Sequence, residues 1–258
     1  LLVSDPHVSV REMMKTEREP LDAMTSADEV ARRFERNDWI SAPVVDPQGK
    51  LLGRITIDDV VDVIREQADH SLAVMAGLGD GDVFTTVLAT APQRAIWLAI
   101  NLATAILAAS VIAFYQDTIE KVVALAVLMP IVASMGGIAG TQSLTVLIRA
   151  MAMGQINDRT EIWLVRREIF VSIINGLIWA FVIAVIAAYW FDDTTLGLII
   201  AFAIIINLIT AGIAGASLPL ILDRLRIDPA LAGGVVLTTI TDVVGFFAFL
   251  GVAAYFYN

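Results

Sequence analysis

A single carboxylate stands inside an apolar run near the C-terminus. In the stretch TTITDVVGFF, Thr238 to Phe247, Asp242 lies 13 residues after Pro229 and 16 before the end of the chain. At ~1.5 Å per residue it falls near the middle of a helix long enough to cross a bilayer. A charge at that depth costs at least ~2.5 kcal/mol, so ionisable residues there tend to be functional. Asp242 is the only clear mid-span charge, and no Lys, Arg or His accompanies it in the bilayer. Either its carboxyl is protonated, held between helices, or it faces water and a cation. Thr238 and Gly245 share roughly one face with it at i−4 and i+3, and Thr241 is its neighbour in sequence. Carboxylate, hydroxyl and backbone carbonyl oxygens suit a hard divalent cation. With no His or Cys nearby, a zinc or copper cage is disfavoured.

A second polar stretch lies in MPIVASMGGIAGTQSLT, Met129 to Thr145. Pro130 and the pair Gly136-Gly137 weaken a helix at membrane depth. Irregular backbone there is tolerated where it is buried in protein or lines a water-filled cavity. Gly136 and Gly140 also form a GxxxG pair, which permits close helix packing. Thr141, Gln142, Ser143 and Thr145 follow directly, with more polarity than packing needs. Asn101, Asn175 and Asn207 read as interhelical hydrogen bonds, and the glycines of AGIAGASLP as packing.

The elements that must carry these residues are membrane helices. The chain has 258 residues, 57% hydrophobic and 17% charged, where a soluble domain carries about 25% charged residues. Five runs reach the roughly 20 apolar residues that a span needs: Ala95–Phe114, Val122–Ile148, Ile169–Trp190, Leu196–Leu222 and Ala230–Tyr257. Arg94, Arg149, Arg159, Arg166, Arg167, Arg224 and Arg226 fall on one side, and only Lys121 on the other. That bias places the N-terminal part in the cytoplasm and the C-terminus outside a cell (inner) membrane. There is no cysteine, so disulfides and thiolate metal sites are excluded. The chain begins with Leu rather than Met and reads as processed or trimmed.

Residues 1–93 hold 17 acids and 9 bases, against 10 and 8 in the rest. A net charge of −10 argues against nucleic acid as a partner. No nucleophile–base constellation or phosphate-cradling loop points to an enzyme. Ser26-Ala27-Asp28-Glu29 reads as a capping box opening a helix to about Asn37. Ala42 to Val45 is a strand, Asp46-Pro47-Gln48-Gly49 a turn and Leu51 to Thr56 the next strand. Thr56 then caps a helix through Glu66. Residues 66–76 favour a further helix, followed by a Gly-rich break at Gly77, Gly79 and Gly81.

The strand–helix–strand–strand–helix order, with the wording APVVD and GKLLGRITIDDV, resembles a CBS module. Residues 1–14 look like the tail of a first module and residues 15–66 like the second. The resemblance implies that Thr56 and Asp59 can meet the ribose of an adenine nucleotide such as ATP. The residue-level alternative is a helix cap and a first-turn acid.

The run GGIAGTQS, the loop RIDPAL and TTITDVVGFF together resemble the MgtE magnesium channel family. So does the order of parts: CBS modules, a connecting helix over 67–93, and a five-span domain over 94–258. The fold implied is a mostly α membrane protein with five transmembrane helices behind a cytoplasmic α/β module. The resemblance implies a homodimer whose pore lies between the subunits, lined by spans two and five. Asp242, with Thr238 and Thr241, is then the pore's metal site, and Gly136, Gly137, Gly140, Thr141 and Gln142 line the path. Mg²⁺ is both substrate and regulator, sensed by acids that match Asp59, Asp62 and Asp228, with Asp69 as a further candidate ligand of the regulatory metal. Ile138 stands where the family commonly has Asn, and His70 and Ser71 stand where it tends to have a Glu-Asp pair. The competing class is a secondary transporter coupled to Na⁺ or H⁺.

Overall fold

The computed structural model describes residues 20–75 and 86–257, with the side chains at 67–75, 89, 93 and 158 outside the description. The chain divides into two compact units, 1–72 and 73–258.

In the first unit, β1 (Leu21–Asp22) is followed by α1 (Ala27–Asn37), β2 (Ser41–Val45), β3 (Leu51–Thr56) and α2 (Ile57–Met75). This is the element order read from the sequence. The sheet order is β1-β2-β3, with β1 parallel and β3 antiparallel to β2. Ser26 Oγ accepts from the Glu29 amide and starts α1. The Glu29 carboxylate does not reach back as a capping box requires. Arg32 and Arg33 hold it at 3.1 and 3.0 Å. In the β2–β3 turn, Asp46 Oδ1 accepts from the amides of Gln48 and Lys50, and Gly49 takes φ 79°. Leu21, Val30, Ala31, Phe34, Ala42 and Val60 form the core, with Trp39 edge-on to Phe34 at 5.7 Å.

The expected stop near Glu66 is not observed. Helix α2 runs unbroken to Met75, because no Gly or Pro interrupts residues 57–75. The expected first-module tail (1–14) and the Gly-rich break (77–81) lie outside the described residues.

The second unit holds α3 (Val87–Phe114), the short α4 (Gln116–Lys121), α5 (Ala124–Ala152), α6 (Asp158–Phe191), α7 (Thr194–Arg224) and α8 (Pro229–Tyr257). Among the described residues, five of these helices are long and apolar enough to cross a membrane. Three of them start with side-chain caps. Asn157 and Thr160 make a reciprocal capping box on α6, Asp193 accepts from the amides of Thr195 and Leu196 on α7, and Asp228 accepts from the Ala230 amide on α8. Residues 158–168, expected to lie in the loop between spans two and three, are the first turns of α6.

Helix α7 is the most enclosed, with Ile199, Ile200, Ala203, Ile204, Leu208 and Ala211 all at most 2% exposed. Its small residues make that possible. A Cβ on Gly215 would lie 2.6 Å from the Gly140 carbonyl oxygen, and one on Gly197 2.6 Å from that of Ala184. So α7 meets the backbones of both α5 and α6, as its sequence suggested.

The backbone irregularity expected in α5 is absent. The helix is continuous through Pro130 and Gly136-Gly137. Pro130 removes only one amide from the ladder. Neighbours close on the glycines instead: a Cβ on Gly136 would sit 2.3 Å from Asn207 Nδ2, and one on Gly140 2.8 Å from Leu237 Cδ1.

Candidate functional site

Helices α5 and α8 run antiparallel in a register fixed by close contacts. A Cβ on Gly233 would lie 3.0 Å from Leu144, one on Gly140 2.8 Å from Leu237, and one on Gly137 3.9 Å from Thr238. Along this seam lies a recess of about 540 Å³ lined by Ala133, Ser134, Gly137, Ile138, Thr141, Gln142, Thr238 and Asp242. Asp242 is half-buried there.

Two hydroxyls of the recess are arranged in one sense. Thr141 Oγ1 donates to the Gly137 carbonyl at 2.8 Å, and Thr238 Oγ1 to those of Gly234 and Val235, both at 3.1 Å. Each hydroxyl uses its proton on the helix behind it, and its oxygen is left as an acceptor. With the Asp242 carboxylate, these oxygens put acceptors from three residues on the recess wall. Such a wall suits a cation, either bare or wrapped in water whose hydrogens point outward.

The polar residues that α5 gives to the recess continue beyond it to Thr145. Ser134, Thr141, Gln142 and Thr145 are all exposed on α5, at a depth where lipid offers no hydrogen bonds. Ile138, 58% exposed, interrupts them.

The residues expected to act together are divided by this geometry. Asp242, Thr238, Gly137, Thr141 and Gln142 come together. Thr241 does not join them. It is fully buried, and its hydroxyl donates to the Thr238 carbonyl at 3.0 Å. Gly136 and Gly140 are also buried, against Asn207 and Leu237. Their place is in packing between helices rather than on the recess wall. Ser134, which sequence reasoning passes over, is on the wall.

Sequence reasoning misses Glu168 altogether. It is 6% exposed on α6, accepts from Ser143 Oγ at 2.9 Å and pairs with Arg167 at 3.1 Å. Asp242 is therefore not alone as an acid within the helical bundle. Glu168 directly precedes the apolar run that reads as span three, which hides it among loop charges. Asn207, which reads as a packing amide, is fully buried and donates to the Val132 carbonyl at 2.8 Å.

Each of the other named acids has its own local setting. Asp228 is an exposed cap of α8. Asp59 and Asp62 are exposed on α2. Asp59 Oδ2 accepts from both the amide and the hydroxyl of Thr56 at 3.0 Å, so the two residues of the suggested nucleotide contact bond each other. The Asp69 side chain lies outside the described residues. Among those described, no three acids or histidines gather into a metal cluster.

Comparison with known proteins bears on this arrangement. The MgtE family model, described as a divalent cation transporter, matches residues 129–252, and the CBS domain model matches residues 10–66. The magnesium transporter MgtE of Bacillus subtilis is 34% identical over 257 residues, covering 99% of this chain and 57% of that protein. The magnesium transporter MgtE of Thermus thermophilus is 33% identical over 259 residues, with 98% and 57% covered. That of Enterococcus faecalis is 28% identical over 256 residues, with 99% and 56% covered. The chain thus spans somewhat more than half the length of these curated relatives. The matched segment 129–252 contains every residue of the recess wall, and the chain joins a segment that matches the CBS domain model to one that matches the MgtE family model.

Proposed function

We propose that this chain carries divalent cations, Mg²⁺ foremost, across a cell membrane, along a path walled by the α5–α8 recess. The observation that carries the reading is the wall itself: one carboxylate among hydroxyls that have already spent their protons, at membrane depth. Mg²⁺ sheds water reluctantly. A hydrated ion needs acceptors for its water hydrogens and one formal charge to offset its own, and Asp242 with Thr141 and Thr238 supplies both. The named relatives are magnesium transporters, which supports the same substrate here.

The exposed polar face of α5 supports a path shared by two copies. Ser134, Thr141, Gln142 and Thr145 need water or protein opposite them rather than lipid. A homodimer facing across α5 and α8 provides both, and two Asp242 carboxylates would then flank one divalent ion. The Arg bias at one set of helix ends supports a cytoplasmic N-terminal unit. In that setting Asp59 and Asp62, with Asp228 at the start of the helix that carries Asp242, are acids through which cytoplasmic Mg²⁺ regulates flow.

The test is Mg²⁺-dependent growth of a magnesium-uptake-deficient bacterium expressing the chain, wild type beside Asp242→Asn at matched membrane levels. Rescue by the wild type alone supports the reading. Equal rescue by both moves the ion path away from Asp242. A current that reverses at the Mg²⁺ equilibrium potential, indifferent to pH and Na⁺ gradients, separates a channel from a coupled transporter.

A further inference from the structure

Asn207 is a fully enclosed polar side chain near the recess. It sits on α7 at 0% exposure. Its Nδ2 donates to the Val132 carbonyl of α5 at 2.8 Å, while its Oδ1 is buried with no hydrogen-bond partner among the described residues. A buried acceptor left unpaired is unfavourable, and native structures hold few of them. A leucine of similar size would avoid that cost.

Two glycines make room for this amide. A Cβ on Gly136 would lie 2.3 Å from Nδ2 and 2.8 Å from Oδ1, and a Cβ on Gly245 would lie 2.7 Å from Nδ2. Gly136 is in α5, one turn after Val132, and Gly245 is in α8. The amide is therefore wedged where α5, α7 and α8 meet. The turns it touches also serve the recess: Ala133, Ser134 and Gly137 flank Val132 and Gly136, and Asp242 is three residues before Gly245.

We propose that Asn207 is a positioning residue: by tying Val132 and filling the space left by Gly136 and Gly245, it sets the spacing of α5 and α8 and so the fit of the recess to the cation. This rests on the reading of the recess as the ion path. Asn207 does not touch the ion. It acts through the two helices that do, and the directed hydrogen bond gives one fixed rotation of α5 against α7 that an apolar contact of equal volume would not specify.

The experiment uses the full chain in proteoliposomes, with half-saturating Mg²⁺ and the Mg²⁺ to Ca²⁺ flux ratio as readouts. Two variants keep the volume but remove the tether: Asn207→Leu, and the pair Asn207→Ala with Gly136→Ala, in which the new methyl occupies the space of the lost amide. Both are expected to stay monodisperse with the wild-type melting point, and to shift half-saturation or the flux ratio by ~3–10-fold. Wild-type values in either well-folded variant would overturn the proposal and leave Asn207 as packing. Failure of both to give monodisperse protein would overturn it too, since the residue would then be structural. Asp242→Asn runs alongside: retained flux in that variant would sink the recess reading itself, whereas lost flux there with unchanged Asn207→Leu would sink only the positioning role.

Discussion

The Ser143 hydroxyl of α5 donates to the Glu168 carboxylate of α6 at 2.9 Å, and neither residue is more than 6% exposed. Arg167 reaches the other carboxylate oxygen from the exposed side at 3.1 Å. A buried carboxylate is thereby given two partners, one on each oxygen, which is the condition for tolerating it in a helical bundle. Removing the carboxylate strands the Ser143 hydroxyl. Glu168→Ala is expected to destabilise the membrane domain by about 2 kcal/mol, and Glu168→Gln, which can still accept from Ser143, by about 1 kcal/mol or less. Thermal melting of the purified protein in detergent checks the order of the two.

At the recess, Asp242→Asn keeps the shape and removes the charge. A carboxylate about 5 Å from a divalent ion, in water-like surroundings, contributes roughly 1.5–2 kcal/mol to its occupancy. The expected loss of Mg²⁺ flux is therefore about ten- to thirty-fold, with a melting point close to that of the wild type. Normal flux in the variant would remove Asp242 from the path.

Thr238→Val and Thr141→Val delete acceptors while keeping size. Their hydroxyls donate to helix carbonyls that already belong to the backbone ladder, so little stability is lost. Each variant is expected to raise half-saturating Mg²⁺ by about two- to ten-fold. Thr241→Val, buried away from the recess, is expected to leave half-saturation unchanged, which a dye-based flux assay will read directly.

Close approach of α7 to α5 makes a sharp prediction about glycine. A methyl on Gly215 would lie 2.6 Å from a backbone oxygen, whereas one on Gly234 has nothing within 4 Å. Gly215→Ala is expected to cost ~3 kcal/mol or to abolish folded protein. Gly234→Ala is expected to be neutral or to gain up to ~1 kcal/mol from helix propensity. Fluorescence size-exclusion after a temperature ramp separates them.

The turn before α7 carries a pH dependence. Asp193 accepts from the Tyr257 hydroxyl and from the amides of Thr195 and Leu196. These bonds, the Tyr257 one first, hold its carboxyl below the ordinary value of 3.8. The sign follows: the folded state favours the ionised form, so the stabilisation is complete above the unfolded value and fades as pH falls through the lowered one. Wild type and Asp193→Asn should differ in melting point at pH 7 and converge as the medium is acidified below about pH 4. A constant gap down to pH 3 would contradict this.

Much of this arrangement is legible in the sequence. Five apolar runs announce five long helices, and the Asp46-Pro47-Gln48-Gly49 turn announces the hairpin. Asp242 stands out because a lone acid in an apolar run is conspicuous. Other features depend on which way a helix faces, and a flat pattern of apolar residues does not reveal that. Thr241 and Thr238 look equivalent beside Asp242, yet one is sealed in the bundle and the other lines the recess. The glycines of α5 look like helix breakers until α7 and α8 are seen pressed against them. Glu168 is lost to a boundary: helix α6 begins well before its apolar run does.

That early start of α6 has a consequence for the bilayer. Its 34 residues extend ~51 Å, whereas the hydrocarbon layer is ~30 Å thick. Even a tilt of ~20° leaves several turns outside the oil. Arg159, Arg166 and Arg167 all stand on the first turns of this helix, where the phosphates of one leaflet lie. A rigid post bearing guanidinium groups at that level feels the lipid headgroups directly. The charge of the surrounding leaflet becomes a determinant of how deeply the helical bundle sits and at what angle.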